Sequence, residues 1–214
     1  MKIPAIFAEY RGGRLLAAFP PEGSAMPESH GNVGFSEAAS LIPRDDSRSP
    51  AVVVDTESIL SGSFDEGVVK EMRIRGADIW FMTCVRDADD LMDAFNTTAE
   101  MVMAPAHLIS DEESAKDILS MSDCVIPAIM VSGGKPANGG IALDDVGATA
   151  RRLESLGFCR LCVWDSDGSV PETEWERLAD SVPSAVPFVP EISAAERCGF
   201  QTLISPLRPP APLR

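Results

Sequence analysis

The residues best suited to chemistry in this chain stand just after short apolar runs. Asp55 and Glu57 follow Ala51-Val52-Val53-Val54, Asp165 and Asp167 follow Cys162-Val163-Trp164, and Glu9 and Glu191 close two further runs. If each run is a buried strand, the polar residue at its end emerges at a common rim, where such groups converge. Crowded carboxylates shift one another's pKa, so that one holds a proton while another stays ionised, as acid/base catalysis requires. The same oxygens suit a hard cation such as Mg²⁺. Asp167 and Asp55 are the acid/base candidates, with Asp165, Glu57 and Glu191 as binding groups. The alternative for each is a helix N-cap or a loop anchor.

Thr83, Arg86, His107, Ser132, Lys135 and Arg208 complete this rim set. His107, one of two histidines, is a third catalytic candidate, because imidazole exchanges protons near neutrality; the other reading is a loop histidine satisfied by backbone. Arg86 suits a phosphate or carboxylate ligand, or else pairs with Asp87 or Asp89. Ser132-Gly133-Gly134-Lys135, followed by Asn138-Gly139-Gly140, makes a loop that closes over an anion, with Lys135 supplying charge or an imine, or is a plain mobile connection. Its spacing is not that of a P-loop.

The elements that position these groups are legible as alternation. The apolar runs are Ile3 to Ala8, Ala51 to Asp55, Ile79 to Met82, Met101 to Ala104, Val125 to Val131, Cys159 to Trp164, Ala185 to Val189 and Thr202 to Ile204. Between them lie segments with helical spacing, such as Leu91-Met92-Phe95 and Val146-Ala150-Leu153-Leu156, with start signals at Ser63, Asp65, Asp87, Ser110, Asp144 and Ser193. Regular alternation of this kind predicts a parallel sheet covered by helices, here a short TIM-type (β/α)8 barrel in one domain spanning residues 1–214. Val53-Val54-Asp55-Thr56-Glu57 echoes Val163-Trp164-Asp165-Ser166-Asp167, the pattern two half-barrels would leave.

Two stretches depart from the alternation. Residues 11–50 form a long first connection, rich in Gly, Pro and Ser, with a hairpin strand over Arg14 to Phe19 and a short helix over Phe35 to Leu41; a flap is expected there. Residues 206–214 are proline-rich, which forbids the last helix of the barrel. An uncovered seam between the last and first strands then predicts a homo-oligomer packed on it, unless the tail folds back over it.

With 33 acidic against 18 basic side chains, the net charge of -15 disfavours nucleic acid and anionic lipid surfaces as partners. Five cysteines, odd in number and within apolar runs, with no secretory signal, predict reduced buried thiols in a cytoplasmic protein. Cys159 and Cys162 lie three apart on a strand-like run and so face opposite ways, against a metal or redox pair. No apolar run approaches the ~18 residues of a membrane span.

Several motifs, in register along nearly the whole chain, resemble the HisA/HisF family of histidine biosynthesis. Ile3-Pro4-Ala5-Ile6 with Gly12-Gly13-Arg14-Leu15-Leu16 is similar to that family's start, Val53-Val54-Asp55 to its second-strand VVD, Val85-Arg86-Asp87-Ala88-Asp89-Asp90 to the end of its GGGIR segment, and Asp165-Ser166-Asp167-Gly168-Ser169 to its sixth-strand D-x-DGT. The resemblance implies the barrel, its half-barrel duplication and a substrate with phosphate ends. It also implies acid and base aspartates ending the first and fifth strands, where this chain has Phe7 and Met130. Neither exchanges a proton, so the ordinary histidine-pathway isomerisation is not expected. Met82-Thr83-Cys84 and Pro190-Glu191-Ile192 replace the family's glycine-rich phosphate turns.

The leading expectation is a divergent enzyme of the isomerase or lyase kind, acting on a small phosphorylated sugar or heterocycle precursor. It calls for no organic cofactor and no assigned metal site, Mg²⁺ being the one candidate cation. The alternative is a catalytically silent barrel that binds a metabolite or a protein. A dry apolar interior with carboxylates turned outward as helix caps belongs to the second.

Overall fold

The computed structural model describes residues 1–42, 49–72, 74 and 77–209, so positions 43–48 of the first connection and 210–214 of the tail lie outside the described residues. In chain order the first half comprises β1 (Lys2–Arg11), β2 (Arg14–Ala18), β3 (Val33–Gly34), α1 (Phe35–Ala39), β4 (Ser49–Asp55), α2 (Thr56–Ser61), α3 (Glu66–Glu71), β5 (Ala77–Met82), α4 (Ala88–Phe95) and β6 (Ala99–Pro105). The second half comprises α5 (Glu112–Met121), β7 (Val125–Ser132), β8 (Lys135–Pro136), α6 (Val146–Leu156), β9 (Leu161–Asp165), α7 (Glu172–Ser181), β10 (Ala185–Phe188), α8 (Ser193–Arg197) and β11 (Leu203–Pro206). Strands β1, β4, β5, β6, β7, β9, β10 and β11 pair in parallel in that order, and β11 pairs back onto β1. The closed eight-strand parallel barrel is the expected TIM-type fold, and among the described residues no helix follows β11.

Continuous apolar runs suit these strands because both faces are buried: one row fills the barrel and the other meets the helices. Phe7, Val54, Met82, Met103, Trp164 and Phe188 belong to the inner set, while Ile6, Val53, Phe81, Val102 and Val163 join the outer core with the helices. Near the carboxyl ends Trp164 stacks on Phe188 with ring centres 5.1 Å apart, and Phe7 lies 6.1 and 5.9 Å from those two rings. At the opposite end the Arg160 guanidinium covers the Trp80 ring at 5.6 Å.

Of the six expected helix starts two are N-caps, and Ser63 lies ahead of α3 without capping it. Asp65 and Asp87 cap α3 and α4, but Asp111 and Asp145, rather than Ser110 and Asp144, cap α5 and α6, accepting the Ser114 and Ala148 N–H groups at 2.8 and 2.7 Å. The capping residue is the one whose oxygen reaches the free N–H three residues on, and one place along the chain decides that. Ser193 begins α8, which Ile192 precedes without a side-chain cap. Among the thiols, Cys84 and Cys162 are buried, whereas Cys159 is exposed ahead of β9, so burial of all five cysteines does not hold.

The first connection is seated on the barrel. A two-residue turn at Gly12-Gly13, with φ of +59° and +77°, returns the chain from β1 to β2, as a type I′ hairpin requires. After β2, residues 22–31 form a strap across the carboxyl ends of the strands. Ala25 is fully buried against the inner set; its N–H donates to the Ser166 carbonyl at 2.8 Å, and its carbonyl accepts the Trp164 Nε1–H at 3.0 Å. At the β11–β1 seam, outward-facing Ile6 and Leu203 are buried and Pro4 and Ser205 are half-buried. The Leu207 N–H extends the ladder to the Ala5 carbonyl at 2.7 Å.

Candidate functional site

Strand parity decides what the two strand-end aspartates do. Asp55 shares the outward face of Val53, and Asp165 that of Val163, so neither points into the barrel mouth. Asp55, fully buried, accepts the Ser58 N–H at 3.3 Å, the Ser58 hydroxyl, and the hydroxyl of buried Thr83 at 3.1 Å. Burial pushes its carboxyl up to about 6, against the opposing pull of the hydrogen bonds from Ser58 and Thr83. It is the N-cap of α2 and ties β5 to it. Asp165 accepts the Ser169 and Val170 N–H groups at 2.9 and 3.2 Å, holding the turn after β9; burial raises its pKa against those two amides.

Asp167 is exposed and serves as a clamp. It accepts the Ser132 hydroxyl at 3.1 Å, the Gly133 N–H at 2.7 Å and the Ser169 N–H at 3.2 Å. Partial burial pushes its carboxyl up, but the bonds from Ser169, Gly133 and Ser132 outweigh this and hold it below the usual range. It is therefore ionised at neutral pH and cannot donate a proton. The glycine-rich loop after β7 is thereby tied down, with the Gly134 N–H also bound to the Ser169 hydroxyl at 2.7 Å. Asp165, Asp167 and Glu191 do meet, on a pocket of about 300 Å³ that no Lys or Arg lines among the described residues.

The expected cations do not join them. Arg86 makes a two-pronged pair with Asp90, Nε to Oδ2 at 2.7 Å and Nη2 to Oδ1 at 3.0 Å, four residues away rather than with Asp87 or Asp89. The pair lowers the Asp90 carboxyl in spite of its burial and raises the guanidinium further. Lys135 is exposed on β8 and has no partner among the described residues. His107 is half-buried and its Nδ1 has no hydrogen-bond partner among the described residues; burial lowers its pKa, so the ring is neutral at pH 7. Gly140, at φ +52°, packs so closely on the Ala106 and Ile109 carbonyls that a side chain has no room there. Asp55, Arg86, His107 and Lys135 line neither rim cavity.

A second rim cavity, about 390 Å³, opens between the strap and α2 and contains Glu57 together with Glu9, Met26, Glu28, His30 and Leu60. Glu9 lies two residues beyond Phe7 on the same face of β1, about 7 Å further along the strand. Its carboxylate is buried. Oε1 lies 2.8 Å from His30 Nδ1, and Oε2 accepts the Gly31 N–H at 3.0 Å. The pairing of Leu16 with Gly34 and Ala17 with Val33 brings the strap's end back beside β2, whose Leu16 stands opposite Glu9 of β1. Glu9 belongs to the rim set expected from strand ends. His30 does not, since a two-residue strand such as β3 leaves no periodic signal.

Among the described residues no three His, Cys, Asp or Glu side chains gather as a metal site, and no helix is long and apolar enough to cross a membrane. Compared with known proteins, the sequence matches no protein-family model and no curated protein.

Proposed function

We propose that this chain is a ligand-binding barrel, catalytically silent in the HisA/HisF-like isomerisation that its motifs resemble, with its binding site in the rim cleft between the strap and α2. The observation that carries this reading is the filled mouth: Ala25 is fully buried on the Phe7–Trp164–Phe188 floor, where a barrel enzyme holds its substrate. The two strand-end aspartates turned outward, Asp55 as the cap of α2 and Asp165 as the holder of the turn after β9, agree with it. The cleft's own chemistry sets the ligand class. Met26, Pro27 and Leu60 give it apolar walls, and among the described residues Glu28 and Glu57 have no partners and no Lys or Arg lines it. A small, uncharged or cationic, partly apolar molecule fits; a phosphate ester is repelled. The five free thiols accord with a reducing, cytoplasmic setting.

A second reading, the isomerase- or lyase-type enzyme on a small phosphorylated precursor, draws support from the meeting of Asp165, Asp167 and Glu191 on one pocket. Thermal-shift measurements separate the two. A ligand at about 100 times its Kd stabilises by about 2.7 kcal/mol, or roughly 5–10 °C for a chain of this size. The cleft reading expects such a shift with n-butylammonium, diminished in Glu57→Gln. The enzyme reading expects it with ribose 5-phosphate, lost in Asp167→Asn.

A further inference from the structure

We propose that Glu9 and His30 form a general-base pair, in which Nε2 of His30 takes a proton from a water or hydroxyl compound held in the rim cleft. Three observations carry this. The Glu9 carboxylate is buried, with 8% of its side chain exposed, and its partners are the His30 ring and one backbone N–H. A buried carboxylate 2.8 Å from Nδ1 keeps the hydrogen on that nitrogen and leaves the Nε2 lone pair outward. Nε2 has no partner among the described residues, and the ring, 72% exposed, lines the 390 Å³ cleft. The arrangement is anchored rather than incidental. Oε2 of the same carboxylate holds the Gly31 N–H, and a side chain at Gly31 would press at 3.0 Å on the Ala17 backbone, so His30 is delivered to Glu9 by a close contact of the strap with β2.

The substrate class follows from the walls. Apolar Met26, Pro27 and Leu60 with acidic Glu28 and Glu57 favour an uncharged or cationic carboxylic ester over any anion. In the step, water gives a proton to Nε2 as its oxygen bonds to the acyl carbon. The acyl C–O bond then breaks, and the leaving alkoxide takes the proton back from the imidazolium, so that ester and water become acid and alcohol. Glu9 touches no reacting atom and is a positioning residue.

This inference rests on the cleft being the binding site, and the test keeps the two apart. The probe is p-nitrophenyl acetate, followed by p-nitrophenolate release from the whole chain. The expected result is hydrolysis above that of free imidazole at equal concentration, reduced about 100-fold in His30→Ala and partly restored by added 4-methylimidazole. Glu9→Gln lowers kcat and leaves KM unchanged. His30 is exposed, so His30→Ala folds whether or not the Glu9 variant does. Equal rates for the native chain and His30→Ala overturn the base; if n-butylammonium still shifts the melting temperature of both, the cleft stands without it. Hydrolysis that depends on His30 with no amine shift supports the base and overturns the amine preference alone.

Discussion

Replacing Asp55 by asparagine tests whether the most buried carboxylate of the rim is a cap or a working acid. Its carboxyl titrates at about 6 in the folded chain against 3.8 ordinarily, and about 2.2 pH units at 1.36 kcal/mol each come to about 3 kcal/mol. The folded state binds this proton more tightly than the unfolded state. Its contribution is therefore largest below pH 3.8, declines as pH rises through the window up to about 6, and is gone above it. An asparagine side chain at this position carries no charge to bury; its amide oxygen still accepts the Ser58 N–H, while its NH₂ donates to the hydroxyl oxygens of Ser58 and Thr83. Relative to the native chain, Asp55→Asn therefore gains about 2.4 kcal/mol of that between about pH 4 and pH 7, read from urea unfolding of both proteins at both pH values. Comparing the two differences removes every other titrating group. A stability difference that is the same at both pH values, or a larger loss at pH 7 than at pH 4, refutes the reasoning.

Trp164→Phe deletes the hydrogen bond from Nε1 to the Ala25 carbonyl and is expected to cost about 1–2 kcal/mol, with faster limited proteolysis inside residues 22–31. Phe7→Asp, which restores a carboxylate where the resemblance implies one, places a charge against two aromatic rings; a loss of at least about 4 kcal/mol in denaturant unfolding is expected, with no gain of isomerase activity. Arg86→Ala removes a pair that is half-exposed on the arginine side, and a cost of about 1 kcal/mol with unchanged binding of n-butylammonium is expected by calorimetry. His107, half-buried and neutral, is expected to charge only below the usual histidine range in an NMR titration, and stability falls as pH drops toward that point because the unfolded chain takes the proton first.

The barrel was legible in the sequence because parallel strands buried on both faces must be continuous apolar runs, and each of those runs became a barrel strand. The site was less legible. A residue after a strand points into the mouth or toward the helices according to its place in a two-residue period, and a shift of one reverses its role. Asp55 and Asp165 fall on the outward face, whereas Glu9 falls on the inward one. Partner choice was hidden for the same kind of reason. Arg86 pairs with Asp90 because the Asp87 carboxylate is taken up in capping α4, while Asp90 in the first turn reaches back to accept the Arg86 N–H as well as its guanidinium. His30 reaches Glu9 through the β2–β3 pairing, a contact across 21 positions that no local pattern announces. The strap's course over the mouth likewise depends on Ala25, a small residue chosen by the space above the aromatic floor rather than by any propensity of its own.

On the proposed reading, ligands meet this barrel at an acidic rim cleft and not at a phosphate-binding mouth. Its most direct test is the melting temperature of the purified chain with n-butylammonium and, separately, with ribose 5-phosphate, each at saturating concentration. A rise of several degrees is expected with the amine, reduced in Glu57→Gln, and none with the sugar phosphate. A rise with ribose 5-phosphate that disappears in Arg86→Ala or Asp167→Asn would contradict it.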